Sequence, residues 1–199
     1  MTKTMTKTMT ETKRISMLVM LVISIAGLGL SETPPSDKSG PVFDGKALVR
    51  PEGYREWIFI GSSLGLAYSK IPDQKPGPGT DLYHNVYINP SSYREFAKTG
   101  KFPEGTVMVL ELARPEVKSE PGLQGSFQKE FVALEASVKD SSRFEGGWAY
   151  FNFTEGAGKL KAKAEAFPQS ACWSCHHVNA ATDHVFTQFY PVLSAVAPK

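Results

Sequence analysis

The chain of 199 residues contains two cysteines, and both fall in residues 171–177, which read Ala-Cys-Trp-Ser-Cys-His-His. Cys172 and Cys175 are two residues apart and His176 follows at once, the Cys-x-x-Cys-His spacing at which a c-type haem is attached. The chemistry accounts for the spacing. Each thiol adds to one haem vinyl group to form a thioether, and the next histidine is placed to bind the iron from the same side. One covalently attached haem c is therefore expected, tethered through Cys172 and Cys175, with His176 as the axial metal ligand. The opposite side of the ring then decides between electron transfer, gas binding and catalysis.

Three other readings of the motif compete. A redox dithiol of the thioredoxin type would sit near a βαβ pattern at the start of a helix, whereas this motif follows Phe167-Pro168-Gln169 near the end of a chain without clear βαβ order. A tetrahedral zinc site needs more ligands than one cysteine pair. Only His84, His177 and His184 are on offer for that role, and none has paired-ligand spacing. A structural disulfide suits an exported protein but gives no reason for His176 to follow.

Export is expected from the other end of the chain. A low-complexity Met-Thr-Lys repeat ends in Lys13-Arg14, and the sixteen residues 15–30 are uncharged and mostly apolar. This is the basic-then-apolar pattern of a signal peptide covering residues 1–31, with small residues Gly29 and Ser31 near the cleavage point. A spanning helix would need roughly 20 apolar residues. Removing residues 1–31 takes four basic residues and one acid from a formal charge of +2 and leaves −1, so the basic balance belongs to the leader and nothing points to nucleic acid as a partner. Export to the periplasm and haem attachment support each other, because covalent c-type haem is assembled outside the bacterial cytoplasm.

The elements that must position the motif follow in residues 42–199, read as one haem-binding domain behind a disordered Pro/Ser/Gly leader at 32–41. Residues 54–61 predict a strand or short helix, and 65–80, rich in Pro and Gly, a loop. Residues 82–88 alternate, with Leu82, His84, Val86 and Ile88 on one face and Tyr83, Asn85 and Tyr87 on the other. Asn89 and Pro90 open a helix as N-cap and first residue, Gly100 closes it, and Tyr93 and Phe96 point inward. Residues 105–113, 127–138 and 148–153 predict further strands of an antiparallel meander. In the first of these Thr106, Met108, Leu110 and Leu112 share a face. Residues 158–167 predict a solvated helix carrying Lys159, Lys161, Lys163 and Glu165. The fold class expected is α+β: a mainly antiparallel β-sheet with a few short helices in a single domain.

After removal of the leader Met108 is the last methionine of the chain. A His/Met electron-transfer centre would depend on it, although a methionine on an apolar strand face is commonly core packing. His84 and His184 are the other candidates for the sixth position. His177 cannot reach an iron that its neighbour already holds.

Several blocks together resemble the cytochrome P-460 family, which includes the cytochromes c′-beta. They are Tyr54-Arg55-Glu56-Trp57; Asn85-Val86-Tyr87-Ile88-Asn89-Pro90 with Tyr93; residues 98–106; Leu134-Glu135-Ala136-Ser137-Val138-Lys139-Asp140; and the haem motif followed by Phe189-Tyr190-Pro191-Val192-Leu193. The resemblance implies a largely antiparallel sheet, a homodimer, and one haem with an open distal site. Its P-460 members oxidise hydroxylamine and carry a lysine cross-linked to the macrocycle. Cytochromes c′-beta lack that link and bind nitric oxide and carbon monoxide in a pocket capped by aromatic side chains.

The cross-linking lysine's position is taken here by Leu110, which cannot form the bond. That departure favours the c′-beta reading: a periplasmic protein that binds nitric oxide for scavenging, transport or sensing. The alternatives are oxidation of hydroxylamine or nitric oxide at the same iron, and plain electron transfer to a periplasmic redox partner. The resemblance further implies Leu110, Met108 and the aromatic Phe102 as distal pocket residues, with Phe59 and Phe96 competing for the cap. It also marks His84 as the polar group able to serve a bound ligand.

Overall fold

The structure, a computed structural model, describes residues 39–66, 81–156 and 158–198. The expected leader at 1–31, most of 32–41 and most of the expected loop at 65–80 lie outside the described residues.

Two short strands, β1 (Phe43–Asp44) and β2 (Ala47–Val49), open the domain. A 3-10 turn at Tyr54–Glu56 leads into β3 (Ile58–Leu64), so residues 54–61, expected to form a strand or a short helix, hold a short helical turn and then the start of a strand. Then come β4 (Tyr83–Ile88) and helix α1 (Pro90–Thr99), closed by Gly100 in the left-handed conformation, as its punctuation predicts. Asn89 makes no side-chain cap. Its Oδ1 accepts from the Val107 amide at 3.0 Å and its Nδ2 donates to the Gly105 carbonyl at 3.3 Å, so it ties the start of α1 to the next strand.

That strand, β5 (Val107–Glu120), pairs along its whole length with β6 (Leu123–Lys139). Both run well past the expected 105–113 and 127–138. Pro121 and Gly122 at the centre of the turn, with Gly122 at φ 85, supply the fixed and the positive φ that a type II turn requires. The strand β7 (Trp148–Asn152) completes an antiparallel sheet whose spatial order is the chain order β3-β4-β5-β6-β7.

The segment 158–167 corrects the expectation of a helix. After β8 (Thr154–Gly156), it forms β9 (Lys159–Leu160), which pairs with β8, and β10 (Lys163–Ala164), which pairs with β2. Lys and Ala are good helix formers, but Lys159, Lys161, Lys163 and Glu165 alternate strictly with Leu160, Ala162, Ala164 and Ala166. That period of two lets Ala164 be buried at 7% exposure while its lysine neighbours face out. Pairing with β2 overrides propensity.

Alternation divides the apolar residues between the two faces of the five-stranded sheet. Val107, Val109, Leu134, Ala136 and Phe151 pack on one side with Leu48 and Ala164 of the small sheet. Ile88, Met108, Trp148 and Tyr150 pack on the other with Phe96 of α1 and Leu193 of the C-terminal helix. The closing elements on this second side are α2 (Cys172–Asn179), a 3-10 turn at Thr187–Phe189, and α3 (Pro191–Val196). Among the described residues no helix is long and apolar enough to cross a membrane.

Candidate functional site

Between the second face of the sheet and α2 lies a cavity of about 630 Å³, within the range of roughly 300–1,000 Å³ typical of cofactor and ligand sites. Its sheet wall follows from register. Val86, Leu110 and Glu135 stand side by side across β4, β5 and β6, and Met108, Ser137 and Tyr150 across β5, β6 and β7. Directly paired residues share a face, so all six turn toward the cavity and line it. The helix side is supplied by Ala171, Cys172, Cys175 and His176, and the C-terminal segment adds His184, Val185 and Tyr190.

Cys172 and Cys175 occupy positions i and i+3 of α2, neighbouring places on one helix face. They are not joined in a disulfide. Burial, then the charge of Glu135, then Cys175 push the Cys172 thiol up to about 11, so it stays protonated at neutral pH. A dithiol oxidoreductase needs the opposite, an attacking cysteine with a lowered pKa. Zinc is disfavoured for a different reason: among the described residues no group of three or more His, Cys, Asp or Glu side chains is gathered to hold a bare metal ion.

His176 is oriented from three sides. Its ring lies 4.5 Å from that of Tyr150 and 4.6 Å from that of Phe186, and its Nδ1 is 2.7 Å from the His184 carbonyl. A carbonyl oxygen only accepts, so Nδ1 carries the proton and the ring's lone pair is at Nε2. Burial lowers the pKa of His176, which favours the neutral form that binds metals. Two thiols and a pre-oriented neutral imidazole on one mostly apolar cavity fit a covalently held haem.

The structure therefore brings together Cys172, Cys175, His176, Met108 and Leu110, and it leaves two candidates outside the lining. Phe102 is buried at 2% exposure, stacked on Phe96 at 4.4 Å and edge-on to Trp148; it supports the core around Met108 and does not cap the cavity. His84 pairs with Leu112, two rungs beyond Val86 and Leu110 and on the same face. Its Nδ1 bonds the Leu82 carbonyl at 3.0 Å, and burial lowers its pKa. Of the other aromatics, Phe96 is buried beneath Phe102, and Phe59 is 45% exposed against Tyr87.

Glu135 is the group that sequence reasoning passed over. Among the described residues it is the only carboxylate in the lining, and burial raises its pKa. Its polar contact is a long bond from Asn152 Nδ2 at 3.4 Å. The signal was a single acid in the otherwise uncharged run Phe131-Val132-Ala133-Leu134-Glu135-Ala136-Ser137-Val138.

A family model described as Cytochrome P460 matches residues 51–187, well over half of the chain. The match takes in all five strands of the main sheet and the motif at Cys172–His176. No curated protein matches the chain.

Proposed function

The chain belongs to the cytochrome P460 family and is a haem cytochrome, and from that premise we propose that it binds a small uncharged ligand, nitric oxide foremost, at one covalently held haem. Cys172 and Cys175 would form the thioethers and His176 would bind the iron. When bound, the haem supplies an iron able to take a diatomic ligand or exchange electrons. The single observation that carries the reading is that Leu110 lines the same cavity as the motif. On the family resemblance, Leu110 falls where the hydroxylamine-oxidising members place their cross-linking lysine, which favours a protein of the cytochrome c′-beta type.

The residues of the cavity support a neutral ligand. Val86, Met108 and Leu110 offer no hydrogen-bond donor, so an anion beside them would lose hydration that this part of the wall does not replace. Glu135 adds to that discrimination, because whatever fraction is ionised repels anions.

One observation favours a second reading, oxidation of hydroxylamine. That reaction removes protons as well as electrons, and Glu135, with its raised pKa and its place beside Leu110, is a group able to accept and release a proton within the cavity.

Optical titration of the purified ferric and ferrous protein with carbon monoxide, nitric oxide and hydroxylamine separates the two. Binding of both gases without hydroxylamine turnover is the expected result. Steady consumption of hydroxylamine, abolished by Glu135→Gln, would replace the first reading with the second. A low-spin spectrum indifferent to carbon monoxide would remove both in favour of electron transfer. The proposal extends to an exported, periplasmic homodimer, which cell fractionation and light scattering of the holoprotein test.

A further inference from the structure

Residues 182–185 form a tight turn beside α2, and His184 and Val185 of the turn line the same cavity as the cysteines. The Val185 amide donates to the Thr182 carbonyl at 2.8 Å, and the reverse bond is 3.3 Å. Both central residues have positive φ, Asp183 at 43° and His184 at 61°. This is the conformation of the I′ hairpin turn, which selects Asn-Gly or Asp-Gly because L side chains crowd the backbone there. Among the described residues these are the two non-glycine positions with positive φ. A glycine at 184 would relax the turn, so something else holds it.

The holding group is the Asp183 carboxylate. One oxygen accepts from Lys139 Nζ at 2.6 Å and the other from the indole Nε1 of Trp148 at 3.1 Å. Both partners are themselves fixed. Lys139 also donates to the Phe102 carbonyl at 2.8 Å, and Trp148 is buried at 2% exposure in the core of the sheet. They come from the ends of β6 and β7, which pair with each other at this rung. The Asp183 carboxylate thus pins the turn to the rigid sheet.

What the turn presents to the helix is a main-chain group and a ring. The His184 carbonyl is the acceptor for His176 Nδ1 at 2.7 Å. The His184 ring leans on Trp173 at 4.9 Å and His177 at 5.1 Å, while among the described residues its own buried Nδ1 has no hydrogen-bond partner. The specific polar contact of this residue with α2 is therefore its backbone oxygen. In metal sites such an acceptor fixes the orientation of the ligating histidine and raises its donor strength.

We propose that Asp183 is a positioning residue for His176: its bonds to Lys139 and Trp148 hold a strained left-handed turn whose His184 carbonyl aims and polarises the imidazole. This rests on the reading above that His176 binds the haem iron. Polarisation of the Nδ1–H bond gives the imidazole partial negative character and stabilises ferric over ferrous iron. Loss of the clamp lets the turn relax, weakens the bond to Nδ1 and raises the reduction potential.

The test is a series of holoproteins, wild type, Asp183→Ala, Asp183→Asn, Lys139→Met and His176→Ala. Each is measured for reduction potential, the iron–histidine stretching band of the ferrous protein and thermal unfolding. Asp183→Ala should shift the ferric to ferrous ratio at fixed potential about tenfold toward ferrous, about 59 mV for a one-electron couple, and lower the stretching frequency. Asp183→Asn tolerates the left-handed turn and keeps an acceptor for Trp148, so it should recover part of the shift, and Lys139→Met should give a smaller shift of the same sign. A lowered melting temperature in these three variants with wild-type potential and stretching band would overturn the inference, since a merely structural clamp gives that result. If Asp183→Ala does not accumulate, the other two carry the comparison. His176→Ala keeps the two ideas apart. Retention of the iron–histidine band in that variant defeats the ligand assignment itself, whereas its loss there, with no change in the Asp183 and Lys139 variants, defeats the present inference alone.

Discussion

Gly146→Ala tests how the motif helix is seated. A Cβ added at Gly146 would lie 2.6 to 2.7 Å from three indole atoms of Trp173, the residue between the two cysteines. The indole has little room to retreat. Its Nε1 donates to the Gly146 carbonyl at 3.3 Å and its ring is stacked on His177 at 4.5 Å. Gly147 is the internal control, because its φ of 78 is nearly that of Gly146 at 79, yet a Cβ there meets only the rotatable hydroxyl of Ser141, at 3.2 Å. Both alanine variants carry the left-handed cost of about 1–2 kcal/mol. Gly146→Ala adds about 1–3 kcal/mol for overpacking against a rigid ring. In a domain of this size about 1 kcal/mol moves Tm by about 2–4 °C, so Gly147→Ala should lose about 2–8 °C and Gly146→Ala about 4–20 °C. Thermal melts followed by circular dichroism measure both, and mass spectrometry of the denatured protein should find less covalently bound haem in Gly146→Ala only. Equal losses in the two variants would refute the argument that Trp173 is seated by the missing Cβ.

Ala164→Asp should cost about 2–4 kcal/mol and Ala162→Asp no more than about 0.5, because Ala164 is buried and Ala162 is exposed; similar urea midpoints would contradict the strand pairing of this segment. Glu111→Gln should cost about 2–3 kcal/mol, since the buried carboxylate accepts from the Tyr54 hydroxyl at 2.5 Å and from the Arg55 guanidinium. An unchanged denaturation midpoint would mean that the cluster contributes nothing to holding the 3-10 turn on the sheet. Glu135→Gln probes pH dependence. Burial raises its carboxyl above 4.5, so the folded protein retains a proton that the unfolded chain releases as pH rises, and folding loses stability between that ordinary value and the raised one. The variant should therefore match wild type near pH 4 and exceed it near pH 7, and parallel stability curves would show that the carboxyl is not desolvated.

Where the chain carries strong local punctuation its structure is legible. Asn89-Pro90 and Gly100 bracket α1 because a missing amide and a positive φ are properties of single residues. The alternation of residues 82–88 marks β4 for the same reason, one face being apolar. The outer half of the β5–β6 hairpin has no such contrast. Leu123 through Gln128 are exposed on both faces, so no hydrophobic period marks the strand, and the readable signal was Pro121-Gly122. In residues 158–167 two signals conflicted, helix-forming composition against a period of two. The partner that decided between them, β2, lies more than a hundred residues earlier in the chain.

The site divides along the same line. Cys172, Cys175 and His176 stand out in the sequence because covalent attachment of a haem, as proposed, would fix their spacing locally. Leu110 and Met108 are legible as residues of one strand face. Glu135 and Ser137 share a face as well, opposite the buried Leu134 and Ala136, and a strand face bearing an acid is ordinarily the solvent side. What turns it inward is that Glu135 stands beside Leu110, and Ser137 beside Met108. His84 shows the converse. It lies on the correct face of β4, but two residues along a strand is about 6.6 Å, enough to carry it from the cavity wall at Val86 to a place where it bonds the Leu82 carbonyl. A polar residue within a strand thus belongs to solvent or to a site according to its neighbours across the rung, and those pairings join segments that no single stretch of sequence displays together.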